Sequence, residues 1–125
     1  MTAKLAILLW ATDPEHPHLC GTPFMHAAAA AALDAEVEMH FSARSVLLLK
    51  TGVAEHLYPG QKHEQSVYDF MRHAHEHGAR FLACSAALLT HDLTSADLIT
   101  EFAGFAGATA FSARALDPGW RVLTY

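Results

Sequence analysis

Gly78-Ala-Arg-Phe-Leu-Ala-Cys-Ser-Ala-Ala-Leu-Leu89 is the stretch on which the fold turns. Gly78 stops the helix before it, as a glycine just past a C-terminus does. Arg80 to Ala83 then reads as a short apolar strand, and Cys84 stands where that strand ends. The small residues from Ser85 suit the first turn of another helix. In an open α/β sheet, ligands and chemistry collect beyond the carboxyl ends of strands. A thiol at that position lies near free backbone N–H groups, which favour a thiolate.

Upstream, Ser66 to His77 is an amphipathic helix. Val67, Phe70, Met71 and Ala74 form one face and Asp69, Arg72, His73 and Glu76 the other. Before it, His56 to Gln65 reads as a loop, and Ser42 to Lys50 as a short helical stretch carrying Val46, Leu47, Leu48 and Leu49. Val37, Met39 and Phe41 alternate with Glu38 and His40, which suits a strand with one wetter face. Thr22-Pro23 opens an alanine-rich helix running to Asp34. The loop Thr12 to Gly21 before it is longer than a tight turn needs. Leu5 to Trp10 is a continuous apolar run, as expected of a parallel strand covered on both faces.

Downstream, Ser85 to Thr90 reads as a short helix. Thr94-Ser-Ala-Asp97 resembles a capping box, opening a helix with Leu98, Ile99, Phe102, Phe105 and Ala106 on its apolar face. Ala108 to Ala113 and Arg121 to Thr124 read as two last strands around the turn Asp117-Pro118-Gly119, antiparallel at an edge. Strands alternating with helices predict a three-layer α/β sandwich: a mainly parallel five-stranded sheet with helices on both faces. Residues 1–125 form a single domain on this reading.

Composition bounds the function. The chain has 125 residues, 52% of them hydrophobic, enough for a real core. A net charge of −5 with eight Lys plus Arg argues against a nucleic-acid surface. The apolar start is too short and lacks a cleavage pattern for a secretory signal, and no run reaches membrane-spanning length. Two cysteines without a leader point to a reducing cytoplasm. No G-x-G-x-x-G or P-loop supports a phosphate-bearing cofactor.

The order of these segments resembles the DsrE/DsrF-like family of sulfur-relay proteins over nearly the whole chain. The apolar first strand, the alanine-rich helix, Ser45-Val-Leu-Leu-Leu-Lys-Thr-Gly-Val-Ala54, His77-Gly-Ala-Arg-Phe-Leu-Ala-Cys84, Leu93-Thr-Ser-Ala-Asp-Leu-Ile99 and Arg121-Val-Leu-Thr-Tyr125 carry the likeness. The resemblance implies an α/β sandwich assembled as trimers or hexamers. It also implies that Cys84 carries sulfur as a persulfide, accepted from a donor protein and passed to an acceptor. Cys84 lacks the basic neighbours that some relatives carry.

Cys84 is thus the expected catalytic residue, with Cys20, His91 and Trp10 as secondary candidates. Cys20 could resolve a Cys84 persulfide if the first and third strands are neighbours; otherwise it is an ordinary loop cysteine. His91 follows the short helix after Cys84 and could act as acid or base. Trp10 ends the first strand and could line an apolar pocket. His16, His18, Cys20 and His26 are the best local candidates for a metal, but their spacing matches no zinc motif, and no bound metal or other cofactor is expected. Alternatives to a sulfur carrier are a small-molecule or nucleotide-binding module and a structural subunit without chemistry. The alanine-rich helix and Leu47-Leu48-Leu49 favour self-association.

Overall fold

The computed structural model describes residues 2–125. Its strands are β1 (Lys4–Leu9), β2 (Glu36–Phe41), β3 (Arg80–Ala83), β4 (Phe102–Phe105) and β5 (Arg121–Thr124). Its helices are α1 (Thr22–Ala32), α2 (Val67–Glu76), α3 (Ser85–Thr90) and α4 (Ala108–Leu116), with 3₁₀ turns at Pro17–Leu19, Ala43–Leu49, Ala54–His56 and Ser95–Asp97. The strands form one sheet in the order β4-β3-β2-β1-β5, and every neighbouring pair is parallel.

Register sorts the side chains onto two faces, because successive residues of a strand point to opposite sides. Ile7, Met39 and Phe81 lie side by side across the sheet, as do Leu8, His40 and Leu82. Phe41 and Phe81 meet Phe24 of α1 at ring separations of 6.0 Å. His40, on the other face, meets Phe111 of α4 at 5.3 Å. α1 and α4 therefore cover opposite faces, and the three expected layers are present. The main core, including Phe24, Met39, Phe41, Leu48, Met71, Phe81 and Leu88, lies on the α1–α2 side.

Right-handed crossovers explain this division. The chain steps from β1 to β2, β3 and β4 in one direction, so its connecting helices fall on one face. It then returns past the whole sheet to add β5 beside β1, which puts α4 on the other face. The connections after β3 and β4 therefore leave toward opposite faces. That divergence is a switch point, where α/β sheets open a crevice.

The C-terminal third differs from its sequence-based assignment. The capping box at Thr94 opens a single 3₁₀ turn, not a helix. Leu98 makes an antiparallel bridge with Lys50, the Ile99 N–H donates to the Leu49 carbonyl at 2.8 Å, and Phe102–Phe105 is an edge strand. Ala108 to Ala113, expected as a strand, is helical. The last two strands do not pair with each other: β5 runs parallel to β1 and β4 parallel to β3, at opposite edges. Two effects decide this. The open edge of β3 needs hydrogen-bond partners, and Gly104 and Gly107 weaken a helix across 98–106. Alanine-rich 108–116 is in turn the better helix former.

Candidate functional site

Cys84 follows directly on β3 and is the N-cap of α3. Its N–H donates to the Phe41 carbonyl at 3.0 Å, and its own carbonyl accepts from the Leu88 N–H at 3.1 Å. One bond ties it to β2 and the other to the helix it starts. The residue is partly exposed. It opens on a cavity of about 230 Å³ that Leu8, His40, Phe41, Ser42, Ala106, Gly107, Ala108, Phe111 and Ser112 also line. These residues come from the carboxyl ends of β1 and β2, the segment after β4, and α4. The cavity is thus the crevice that the diverging connections create.

Beneath it lies a buried polar row. Glu38 and His40 are 2% and 3% exposed, so the alternation in β2 marks an enclosed polar face and not the wetter one expected. The His40 Nε2 is 3.1 Å from Glu38 Oε1. Arg114 of α4 grips the same carboxylate with two bonds, Nε to Oε1 at 3.1 Å and Nη2 to Oε2 at 2.9 Å. Its guanidinium lies over the Trp120 ring at 4.2 Å. Arg80 of β3 adds a looser contact at 3.8 Å. Burial pushes the Glu38 carboxyl up, but the bonds from Arg114 and His40 outweigh it and hold its pKa below the ordinary value. Burial drives the His40 pKa down; Glu38 opposes this and the charge of Arg114 adds to it. The His40 Nδ1 is buried without a hydrogen-bond partner.

The other sequence candidates stand elsewhere. Cys20 is fully buried in the α1–α2 core, its thiol donating to the carbonyls of Asp13 at 3.3 Å and His16 at 3.5 Å. Burial pushes its pKa up to about 11. β2 separates β1 from β3, so the adjacency that would suit a resolving role does not exist. Trp10 is 59% exposed and His91 caps the far end of α3; neither lines the cavity. The His16 and His18 rings meet edge to face at 6.1 Å, while His26 turns to the Tyr125 hydroxyl. Among the described residues no three His, Cys, Asp or Glu side chains come together as a metal site. Arg44 pairs with Asp13 and Glu15, bracing the long loop.

Sequence reasoning missed the Glu38–His40–Arg114 row. A signal was present. Parallel sheets are covered on both faces, so a glutamate and a histidine inside such a strand had to be buried and partnered.

Two solved structures share the architecture. A protein of unknown function from Methanobacterium thermoautotrophicum superposes with a TM-score of 0.71 at 15% identity, over 98% of this chain and 99% of that one. The ychN protein of E. coli gives 0.67 at 14% identity over the full length of both. At such identities these likenesses speak for the fold alone. No curated protein sequence matches the chain. The sequence profile of one family, however, matches residues 6–125, from the first strand to the last residue, and with it the chain belongs to the DsrE/DsrF-like family.

Proposed function

We propose that the protein is a sulfur carrier, a sulfurtransferase-like relay that accepts persulfide sulfur on Cys84 and hands it on. The observation that carries this reading is a partly exposed cysteine lining the crevice at the carboxyl end of β3, in a family tied to sulfur relay. A carrier sulfur must be reachable by a partner sulfur and able to leave again. The Cys84 thiolate attacks the outer sulfur of a donor persulfide. A new S–S bond forms on Cys84, the donor's S–S bond breaks, and the donor sulfur departs as a thiolate that takes up a proton. The sulfane sulfur keeps its oxidation state, so no external oxidant or organic cofactor is needed. An acceptor thiolate repeats the exchange in the forward direction. The partners are a protein donor and a protein acceptor, and the place of action is the cytoplasm.

At the Cys84 crevice, though not at the larger grooves of about 620 Å³ beside α1 and α2 and about 480 Å³ around Pro59 to Gln65, cavity size favours this over a nucleotide site. Sites for such ligands run from about 300 to 1,000 Å³, whereas this one has about 230 Å³. A persulfide and the end of its carrier chain need less room.

Self-association belongs to the same reading. α4 contributes no fully buried residue although, among the described residues, it is the only helix on its face, which suits a layer completed by further copies in a trimer or hexamer.

The test is mass spectrometry of the intact protein and its Cys84 peptide after treatment with polysulfide or a persulfide donor. The wild type gains 32 Da on Cys84, a mass set by the sulfur atom in the step above. Cys84→Ser loading as well as the wild type would sink the proposal.

A further inference from the structure

We propose that His73 and His77 form a two-ligand site for a divalent transition ion, nickel or copper in preference to zinc, in the groove between α1 and α2. The inference stands apart from Cys84 and its chemistry. His73 lies on α2 and His77 is its C-cap, four residues on, so the two side chains stand one above the other on one side of the helix. Both are exposed, and both line the groove of about 620 Å³ beside α1. Ala28, Ala29 and Ala32 form the facing wall. Their short side chains leave room for an ion and for the waters that complete its shell.

The tautomer of His77 suits a ligand. Its Nδ1 lies 2.9 Å from the His73 carbonyl. A carbonyl only accepts, so Nδ1 carries the proton and Nε2 presents its lone pair. A metal-bound histidine usually donates its other N–H to such an acceptor, because that bond fixes the tautomer and raises the basicity of the ligating nitrogen.

Ring spacing selects the ion. The two ring centres are 4.4 Å apart. A metal about 2.1 Å from an imidazole nitrogen lies about 3.2 Å from the centre of that ring. Two rings at right angles around it are then about 4.5 Å apart, and two at the tetrahedral angle about 5.2 Å. The observed spacing matches the right angle of Cu(II) and Ni(II) sites. Both side chains are exposed, so turns about their free χ angles bring the two Nε2 atoms onto one ion. The sign of the local charge also fits. The pair sits at the C-terminal end of α2, where the helix dipole favours a cation. Asp69 and Glu76 line the same groove, and Glu76 offsets the opposing charge of Arg72 at 3.7 Å. His75 points elsewhere, meeting Phe81 at 6.0 Å.

Isothermal titration of Ni(II) into the untagged protein tests the site. One ion should bind, and binding should survive alkylation of Cys84 with iodoacetamide. His73→Ala and His77→Ala should each weaken it at least about tenfold, a loss that even an outer-shell change can cause at a metal site. His75→Ala should leave it unchanged, as should His16→Ala with His18→Ala, the other pair of neighbouring rings. Zn(II) should bind more weakly than Ni(II), and acid should weaken both, because protons compete for the imidazole nitrogens. In the wild type, Ni(II) should broaden the NMR signals of the His73 and His77 rings before those of any other histidine, which decides the matter even if a variant misfolds. No uptake at millimolar Ni(II), uptake indifferent to both substitutions, uptake lost on alkylation, or broadening that begins at another histidine overturns the site. Zn(II) binding as tightly as Ni(II) overturns the choice of ion. None of these results touches sulfur loading on Cys84.

Discussion

Cys20 and Cys84 are the same residue type in opposite settings, and the difference is burial. Cys20 is sealed in the core with its thiol donating to two carbonyls, and burial carries its pKa from 9.0 to about 11. In the folded protein at pH 8, iodoacetamide should label Cys84 alone, and Cys20 only after denaturation; peptide mapping reads this directly. The same shift is a statement about stability. The unfolded thiol loses its proton near 9.0, whereas the folded one holds it to about 11. Above pH 9 the unfolded chain binds fewer protons, so stability falls as pH rises through that window. The loss approaches about 3 kcal/mol once both states are ionised. Urea midpoints between pH 8 and 11 should therefore fall more steeply for wild type than for Cys20→Ala; parallel curves would refute the effect. At this scale the sequence spoke unevenly. Cys84 was legible because strand end and helix start flank it within one short stretch. Cys20 and His40 were not, because their surroundings depend on strand order and on Arg114, which lies 76 positions away from Glu38 along the chain.

Elements were legible where local signals agreed. The end of α2 is the clearest case. Gly78 takes φ of +110°, its N–H donates to the His75 carbonyl at 2.9 Å, and the Ala79 N–H donates to the Ala74 carbonyl at 3.1 Å. This is a Schellman turn, and its dihedral is one that a Cβ opposes. The space around Gly78 is empty, so Gly78→Ala isolates the backbone cost. It should destabilise the protein by about 1–2 kcal/mol, seen as a Tm several degrees lower. Gly60→Ala, also in open space but without a positive φ, should stay within about 0.5 kcal/mol of wild type. Equal effects at both sites would refute the backbone argument. Residues 98–116 show where local signals divide. Apolar residues at 98, 99, 102, 105 and 106 have helical spacing, yet nine residues hold too few periods to separate helix from extended chain. Tertiary demand then decided: the β3 edge recruited Phe102–Phe105, and the released alanine-rich segment became α4.

At the scale of the whole molecule, the exposed surface is 6963 Å² for 13.6 kDa, close to the roughly 6,600 Å² of a compact monomer of that mass. Folding is therefore complete within one chain, and its outward apolar residues are not an unfinished core. Leu116 at the end of α4 is 85% exposed and Phe105 on the β4 edge 61%. Phe105 also shares a groove with Leu89 and Leu93 beside α3. Both ends of the sheet are open, at β4 and at β5, and open edges invite pairing unless they are covered. Scattered apolar side chains are ordinary on a surface. A helix with no buried residue and two bare sheet edges on one small domain ask for neighbours. Analytical ultracentrifugation at micromolar concentration should thus give a multiple of 13.6 kDa. Phe105→Glu or Leu116→Glu should lower that mass while leaving the circular dichroism spectrum unchanged, since neither side chain holds the fold. A wild type sedimenting as a single chain would refute the assembly and leave the Cys84 crevice to work alone. If Leu116→Glu dissociates the particle, the copies meet across α4, a wall of the cavity, and loading of Cys84 should then depend on protein concentration.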